Sequence, residues 1–478
     1  MAKMLQRTLL SVLILFSMLL NMASAKEPAL PLEKEKLLGT LFMQQLHGSD
    51  CVVLDPSVHD YLQHLGNRLS ESAGIKDYKL HFFGIASDEL NAFAFFGGHV
   101  AVHTGLIQQV HTESELAAVL AHETAHIAQK HLPRMLEQNQ KLLPLTIAQL
   151  LAATAIGMMG GGEAGAHLAT AVLANHVQQL INYTHEHEQE ADRIGMQILS
   201  KSNFNPQGMA TVFQGLKQKS MYQSKAFAYL RTHPLFESRI ADAENRAETL
   251  PYRQTSDSLM FHLVRAKLEL SRKENDADRV KRLKAQLDSG KYPNATGAAY
   301  AYALALAKNN QFSEALKHLR ELATKTPNHW MIALSLAETE YAAGNTRTAL
   351  NSLQYLLKTY PNHPPIALSY ASILLDLNTP AYGQQAEKLL LHLLKQQQHY
   401  PANPITYELL TRTQSQLHKF VACHQSQAEW HAARGEFPKA LQQLDFALEK
   451  TKHASTSASS ITKRKAVLTE LHTQQKAL

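Results

Sequence analysis

The chain has 478 residues, of which 45% are hydrophobic, and carries 47 lysines and arginines against 41 acids, a formal charge of +6. That length allows two or three domains, and the apolar content is ordinary for a globular protein. So mild a positive balance, with no dense basic block interleaved with aromatics, argues against nucleic acid as a main partner.

The first 25 residues read as a secretory signal. Lys3 and Arg7 form a positive n-region, Leu9 to Leu20 an apolar core too short for a membrane span, and Ala23-Ser24-Ala25 an A-x-A cleavage site. Cleavage after Ala25 leaves a chain that begins at Lys26 with a charge of +4, because the signal holds two basic residues and no acid. No cysteine follows the site, so no lipid anchor is expected. Cys51 and Cys423 are the two cysteines; in an exported protein they could pair, or remain free thiols, and their spacing does not choose.

Asn91 to Phe96, then Gly97-Gly98, then His99 to Thr104 predicts a β-hairpin with a two-glycine turn. His122-Glu123-Thr124-Ala125-His126 follows, an H-E-x-x-H motif in a stretch without Gly or Pro from Glu115 to Lys130. Thr112-x-x-Glu115 matches a capping box, and Leu116, Val119, Leu120 and Ile127 supply an apolar face. On a helix the two histidines share one face and can bind one metal ion, with Glu123 beside its open position, the pattern of a zinc hydrolase. No G-x-S-x-G elbow and no cysteine with a histidine nearby supports a covalent nucleophile.

Leu142 to Met159 carries no charge, but Pro144, Thr146, Gln149, Thr154 and Gly157 interrupt it. A helical pair near 142–158 and 164–180, turning at Gly160–Gly162 and packed over the active site as a lid, is the preferred reading; no stable membrane span is expected. A third metal ligand is expected next, in Tyr183 to Asp192, which reads as helix. Glu188 and Asp192, four apart, share a face; Glu188 could complete a His, His, Glu set and Asp192 could orient a ligating imidazole or donate a proton. Spacing alone leaves His185, Glu186, His187 and Glu190 equally able to bind zinc.

With the first motif, Glu188-x-Glu-Ala-Asp192 resembles the signature of the metallopeptidase family that includes the CAAX prenyl protease, the heat-shock protease HtpX and the mitochondrial protease Oma. Arg231-Thr-His-Pro234 with Glu237-Ser-Arg-Ile240 resembles that family's downstream His-Pro block. The resemblance implies one zinc per chain held by His122, His126 and Glu188, with Glu123 as general base and Asp192 as supporting acid. It implies that the hairpin forms an edge strand for an extended substrate. His233 either reaches the zinc, as a fourth ligand or oxyanion stabiliser, or orients a loop. One departure is Thr184-His185, where related sequences carry Ser-Arg.

After Pro251 a helical repeat begins. Ala315 and Ala349, and Pro327 and Pro361, are each 34 apart, the tetratricopeptide period; Pro401 follows after 40, with an insertion expected around Asn378-Thr-Pro380. Gly435 to Ala440 marks a further unit, and residues 258–292 read as charged lead-in helices. About four stacked helix pairs are expected. The predicted organisation is a signal peptide (1–25), an α+β, mainly helical, zincin-like metalloprotease domain (26–250) and an all-α tetratricopeptide solenoid (251–478). This order resembles periplasmic quality-control proteases of Gram-negative bacteria. It implies unfolded or misassembled outer-membrane proteins as substrates and contact with the outer-membrane β-barrel assembly machinery through the repeats. The competing reading is a non-proteolytic periplasmic chaperone or scaffold whose metal site is structural or held shut.

Overall fold

The computed structural model describes residues 30–77, 79–138, 185–222, 229–230, 233–396, 403–451 and 456–477. The signal segment, the 142–180 helical pair, Thr184 and the Arg231-Thr232 part of the His-Pro block lie outside them. Helices α1 (Leu32–Gly48) and α2 (Pro56–Ala73) lead into strands β1 (His81–Ile85), β2 (Ala92–Phe95) and β3 (His99–His103). Asp55 caps α2 by accepting the amides of Ser57 and Val58, with Pro56 in the first turn.

The expected hairpin is present. Ala92 pairs with Val102 and Phe95 with His99 in an antiparallel register. Gly97 and Gly98 turn the chain at φ 69° and 79°, a left-handed conformation open to glycine without steric cost. β1 joins the other side of β3 in parallel, so the order is β1-β3-β2 and β2 forms an edge. Both faces of the hairpin are covered. Ala92, Ala94, Val100 and Val102 enter the main core, while Phe93, Phe95 and Ala101 pack in a second cluster with Phe42 of α1.

After α3 (Thr104–Gln109) comes α4 (Glu113–Ala128), the H-E-x-x-H helix. Thr112 accepts the Glu115 amide, and the Glu115 carboxylate accepts the amide of His111, one residue before the cap. The apolar stripe predicts one buried face; instead residues 113–127 are all buried. The reason is that α2, β2, β3, α6 (His185–Lys201) and α7 (Gln207–Tyr222) surround this helix. Gly195 lets α6 approach it, since a Cβ there would lie 3.1 Å from the His122 nitrogen and Cα. The helix also ends earlier than its sequence suggests. Lys130 adopts φ 52°, which breaks α4 and starts α5 (His131–Gln138) in a new direction. Beyond α7, helix α8 (Glu237–Thr249) packs against α6 and α7.

The rest of the chain is a solenoid. Lead-in helices α9 (Leu259–Glu269) and α10 (Asp276–Asp288) both pack on α11 (Ala295–Lys308). Five antiparallel pairs follow: α11 with α12 (Phe312–Lys325), α13 (Trp330–Ala342) with α14 (Thr346–Thr359), α15 (Pro364–Asp376) with α16 (Pro380–Gln396), α17 (Pro404–Gln416) with α18 (Phe420–Ala433), and α19 (Phe437–Glu449) with α20 (Thr456–Ala477). That is one pair more than the repeat pattern alone predicts. Asn310, Gly344 and Asn378, spaced by 34, all take positive φ at the turn inside a pair, so the period continues through 378–380. The insertion expected there lies further on. α16 is 17 residues long against 14 for α14, and α17 begins at Pro404, 40 residues after Pro364.

The apolar core does not stop between the two halves. One cluster runs from Leu62 and Leu120 through Phe261 and Tyr300 to Ile332. At the far end, Leu41 of α1 packs with Ala428, Ala432 and Phe437, and Arg434 bonds Asp50 at 2.8 Å. The solenoid therefore returns to the domain from which it departs. Cys51 and Cys423 are both free thiols. Among the described residues no helix is long and apolar enough to cross a membrane.

Candidate metal centre

Three elements bring their polar side chains to one sealed point. α4 supplies His122, Glu123 and His126, α6 supplies Glu188 and Asp192, and the segment before α8 supplies His233. Of these, only Asp192, at 3%, and His126, at 2%, retain any exposure. So many ionisable groups do not stay buried in a stable fold unless they are paired or hold a metal.

The geometry suits a metal. His122, His126, Glu188 and His233 each offer a donor atom, and all four lie within 4.8 Å of one another. The Nε2 atoms of His122 and His126 are 3.0 Å apart, and His122 Nε2 is 3.3 Å from His233 Nδ1. Glu188 Oε1 lies 3.4 Å from His126 Nε2 and 3.0 Å from His233 Nδ1, and Glu188 Oε2 is 3.5 Å from His122 Nε2. An ion with tetrahedral donors at 2.0–2.1 Å sets them about 3.3 Å from one another. The donor set and its spacing thus fit one metal ion.

Around these donors stands a charged frame. Asp192 Oδ1 lies 2.8 Å from His122 Nδ1, and this pairing leaves Nε2 to face the centre. Arg239, only 1% exposed, donates from Nε and Nη2 to both Asp192 oxygens at 2.7 and 2.8 Å. Its Nη1 reaches Glu188 Oε2 and the Pro234 carbonyl, each at 2.7 Å. One guanidinium therefore ties both α6 carboxylates to the His233-Pro234 segment. Tyr229 stacks on the His233 ring at 4.6 Å.

Glu123 is placed differently. Its Oε2 accepts the Ala94 amide of edge strand β2 at 2.9 Å, while Oε1 faces His233 Nε2 at 3.5 Å. Burial pushes the Glu123 carboxyl above its usual range, opposed by His233 and His122. Burial also raises Glu188, but His233 and the two helix histidines overcome it and hold that carboxyl well below normal. A carboxylate and a more basic carboxyl side by side are the parts that a ligand and a proton acceptor require.

The competing residues on α6 separate cleanly. His185 and Glu186 are exposed, with His185 edge-on to Phe236 at 4.7 Å. Glu190 bonds His131 and Arg134, and His187 stacks on His131 at 4.6 Å. Only Glu188 reaches the donor cluster. The frame also includes two groups that the sequence reading left without a role. Arg239 stood inside the Glu237 to Ile240 block, where an arginine near two acids was the available signal. His131 stood five residues after His126, a spacing that an unbroken helix would turn away.

Helix-borne H-E-x-x-H residues joined by a buried glutamate from a second helix define a metal-dependent peptidase. Residues 56–247 match the model of Peptidase family M48. The beta-barrel assembly-enhancing protease of Yersinia pestis is 32% identical over 430 residues, covering 89% of this chain and 86% of that protein. The protein of that name from Escherichia coli K12 is 34% identical over 371 residues, 77% of this chain and 75% of its own. The mitochondrial metalloendopeptidase OMA1 of Schizosaccharomyces pombe is 30% identical over 206 residues, 42% of this chain and 58% of its own. The chain belongs to the family of beta-barrel assembly-enhancing proteases, within the M48 metallopeptidases.

Proposed function

We propose that the chain is a periplasmic zinc metalloendopeptidase that degrades misassembled outer-membrane proteins and assists the assembly of others. The observation that carries this reading is the buried cluster in which His122, His126 and Glu188 converge beside the raised carboxyl of Glu123. His122, His126 and Glu188 would hold a zinc ion there, which would supply a water with its pKa lowered towards about 7 and a polarised scissile carbonyl. Glu123 Oε1 takes the proton from the attacking water and delivers it to the leaving amine. Asp192 keeps His122 in the tautomer that presents Nε2, and Arg239 fixes Asp192 and Glu188 in turn. Edge strand β2 offers its backbone to an extended substrate, with the Ala94 amide linking that strand to the base. His233 would offer a fourth donor from Nδ1, while its Nε2 faces Glu123 Oε1 at 3.5 Å.

The names of the relatives support β-barrel outer-membrane proteins as clients and the assembly machinery as the partner of the solenoid. The signal at residues 1–25 supports export, leaving a peptidase domain over 26–250 and repeats over 251–478. The scaffold alternative is not favoured, since a structural ion needs no Glu123 and the relatives are proteases. Glu123→Gln tests the reading. It should keep zinc and the melting temperature while cleavage of an unfolded outer-membrane protein falls by about 10²–10⁴. Cleavage at the wild-type rate would remove Glu123 from the chemistry.

A further inference from the structure

We propose that His131 is a positioning residue for the metal centre: it accepts the outer ring proton of His126 and is itself fixed by Glu190, so that a His–His–Glu relay holds one metal donor in place. The inference rests on the metal reading above. His131 Nδ1 lies 2.8 Å from His126 Nδ1, and His131 Nε2 lies 3.0 Å from Glu190 Oε2.

One placement of protons satisfies all three groups. Glu190, whose Oε2 also takes a hydrogen bond from the Arg134 guanidinium, accepts. His131 therefore carries its proton on Nε2 and donates it to Glu190, leaving Nδ1 as an acceptor. His126 must then donate from Nδ1, which leaves its Nε2 lone pair directed at the donor cluster. The opposite placement puts the His126 proton on Nε2, pointing it at His122 Nε2 3.0 Å away and closing the site to a metal. The relay thus selects the metal-binding tautomer of His126, as Asp192 does directly for His122.

Its parts are fixed. His131 is fully buried. The His187 ring stacks on it at 4.6 Å and 25°, and Arg134 Nη1 donates to the same Glu190 oxygen at 3.3 Å. The break at Lys130, with φ 52°, turns the chain so that His131 comes back over His126. An unbroken helix would carry position 131 away from that face.

The test is zinc competition against a chromophoric chelator, on the full chain, for wild type, His131→Ala, His131→Asn and Glu190→Ala. An asparagine carbonyl supplies an acceptor in place of Nδ1. His131→Ala should lower zinc affinity by about 10- to 100-fold. His131→Asn should stay within about threefold of wild type, and Glu190→Ala should fall between them. Melting temperatures in excess chelator should coincide, which separates donor positioning from folding. Should His131→Ala fold poorly, Glu190→Ala carries the test, because its side chain lies at the rim. The relay is overturned if Glu190→Ala and His131→Ala bind zinc as tightly as wild type, or if His131→Asn falls as far as alanine. If the wild type itself takes up no zinc, the metal reading fails and the relay with it.

Discussion

Arg239 offers the sharpest perturbation of the frame that holds the site. Its guanidinium makes four short contacts, to both oxygens of Asp192, to Glu188 and to the Pro234 carbonyl, and lies over the Phe213 ring at 5.0 Å. Arg239→Met keeps the apolar stem and removes the charge. Two carboxylates then stand buried with one cation fewer, a change that costs about 3–5 kcal/mol where a buried pair is broken. For a cooperative unit of roughly 150–250 residues, at about 2–4 °C per kcal/mol, the midpoint should fall by on the order of 10 °C. Differential scanning calorimetry in excess chelator reads this directly, because a bound metal would take over part of the lost charge. Adding Asp192→Asn to Arg239→Met removes the stranded charge and should recover about 1–2 kcal/mol. Arg239→Lys should fall between wild type and Met, since an ammonium keeps the charge but cannot form the fork. A midpoint within about 2 °C of wild type for Arg239→Met, below about 1 kcal/mol, would refute the idea that this residue neutralises the carboxylates.

Three further outcomes follow from other parts of the fold. His99 and His103 are buried and neutral, burial pulling their pKa values down to about 3 and about 4. Above the ordinary value of about 6.5 neither state is charged, so stability is unaffected; as pH falls from 6.5 to about 4 the unfolded chain takes up protons that the folded one refuses, costing up to about 3 kcal/mol per histidine. The peptidase domain should therefore melt markedly lower at pH 5 than at pH 7, and His103→Gln should flatten that profile; equal slopes would exclude the residue. Gly195→Ala should destabilise by about 1–3 kcal/mol and weaken metal binding, because its Cβ presses on His122 at 3.1 Å; calorimetry and metal titration check both. Asp55 caps α2 and pairs with Lys267 of α9 at 2.9 Å, so Asp55→Ala should cost about 1–2 kcal/mol in urea unfolding beyond the effect of Asp55→Asn, which keeps the cap acceptor.

Much of the site was legible in local spacing. The H-E-x-x-H interval places two rings on one helix face, and the two-glycine turn fixes a hairpin; both need only neighbours in sequence. Glu188 was different. Glu188 and Glu190 are both able ligands, and only the rotation of α6 against α4, set by contacts such as Gly195 on His122, turns one to the metal and the other to His131. Arg239 and His131 depend on convergence of segments distant in sequence, or on a helix break at a lysine in a left-handed conformation, which sequence pattern does not reveal. In the solenoid, the 34-residue period was visible through alanines and prolines. Its turn positions, Asn310 and Asn378, were hidden because asparagine stands there in place of glycine. The burial of α4 on all sides was missed for the same reason as Arg239: periodicity reports one neighbouring layer, and this helix has several.

The most direct test of the whole account is the zinc-to-chain ratio of the purified protein, measured beside Glu188→Ala. One zinc per wild-type chain, lost or sharply weakened in Glu188→Ala, is the expected result. A wild-type chain without zinc, or a variant that keeps it at full affinity, would contradict the convergence of two histidines and a glutamate on one ion.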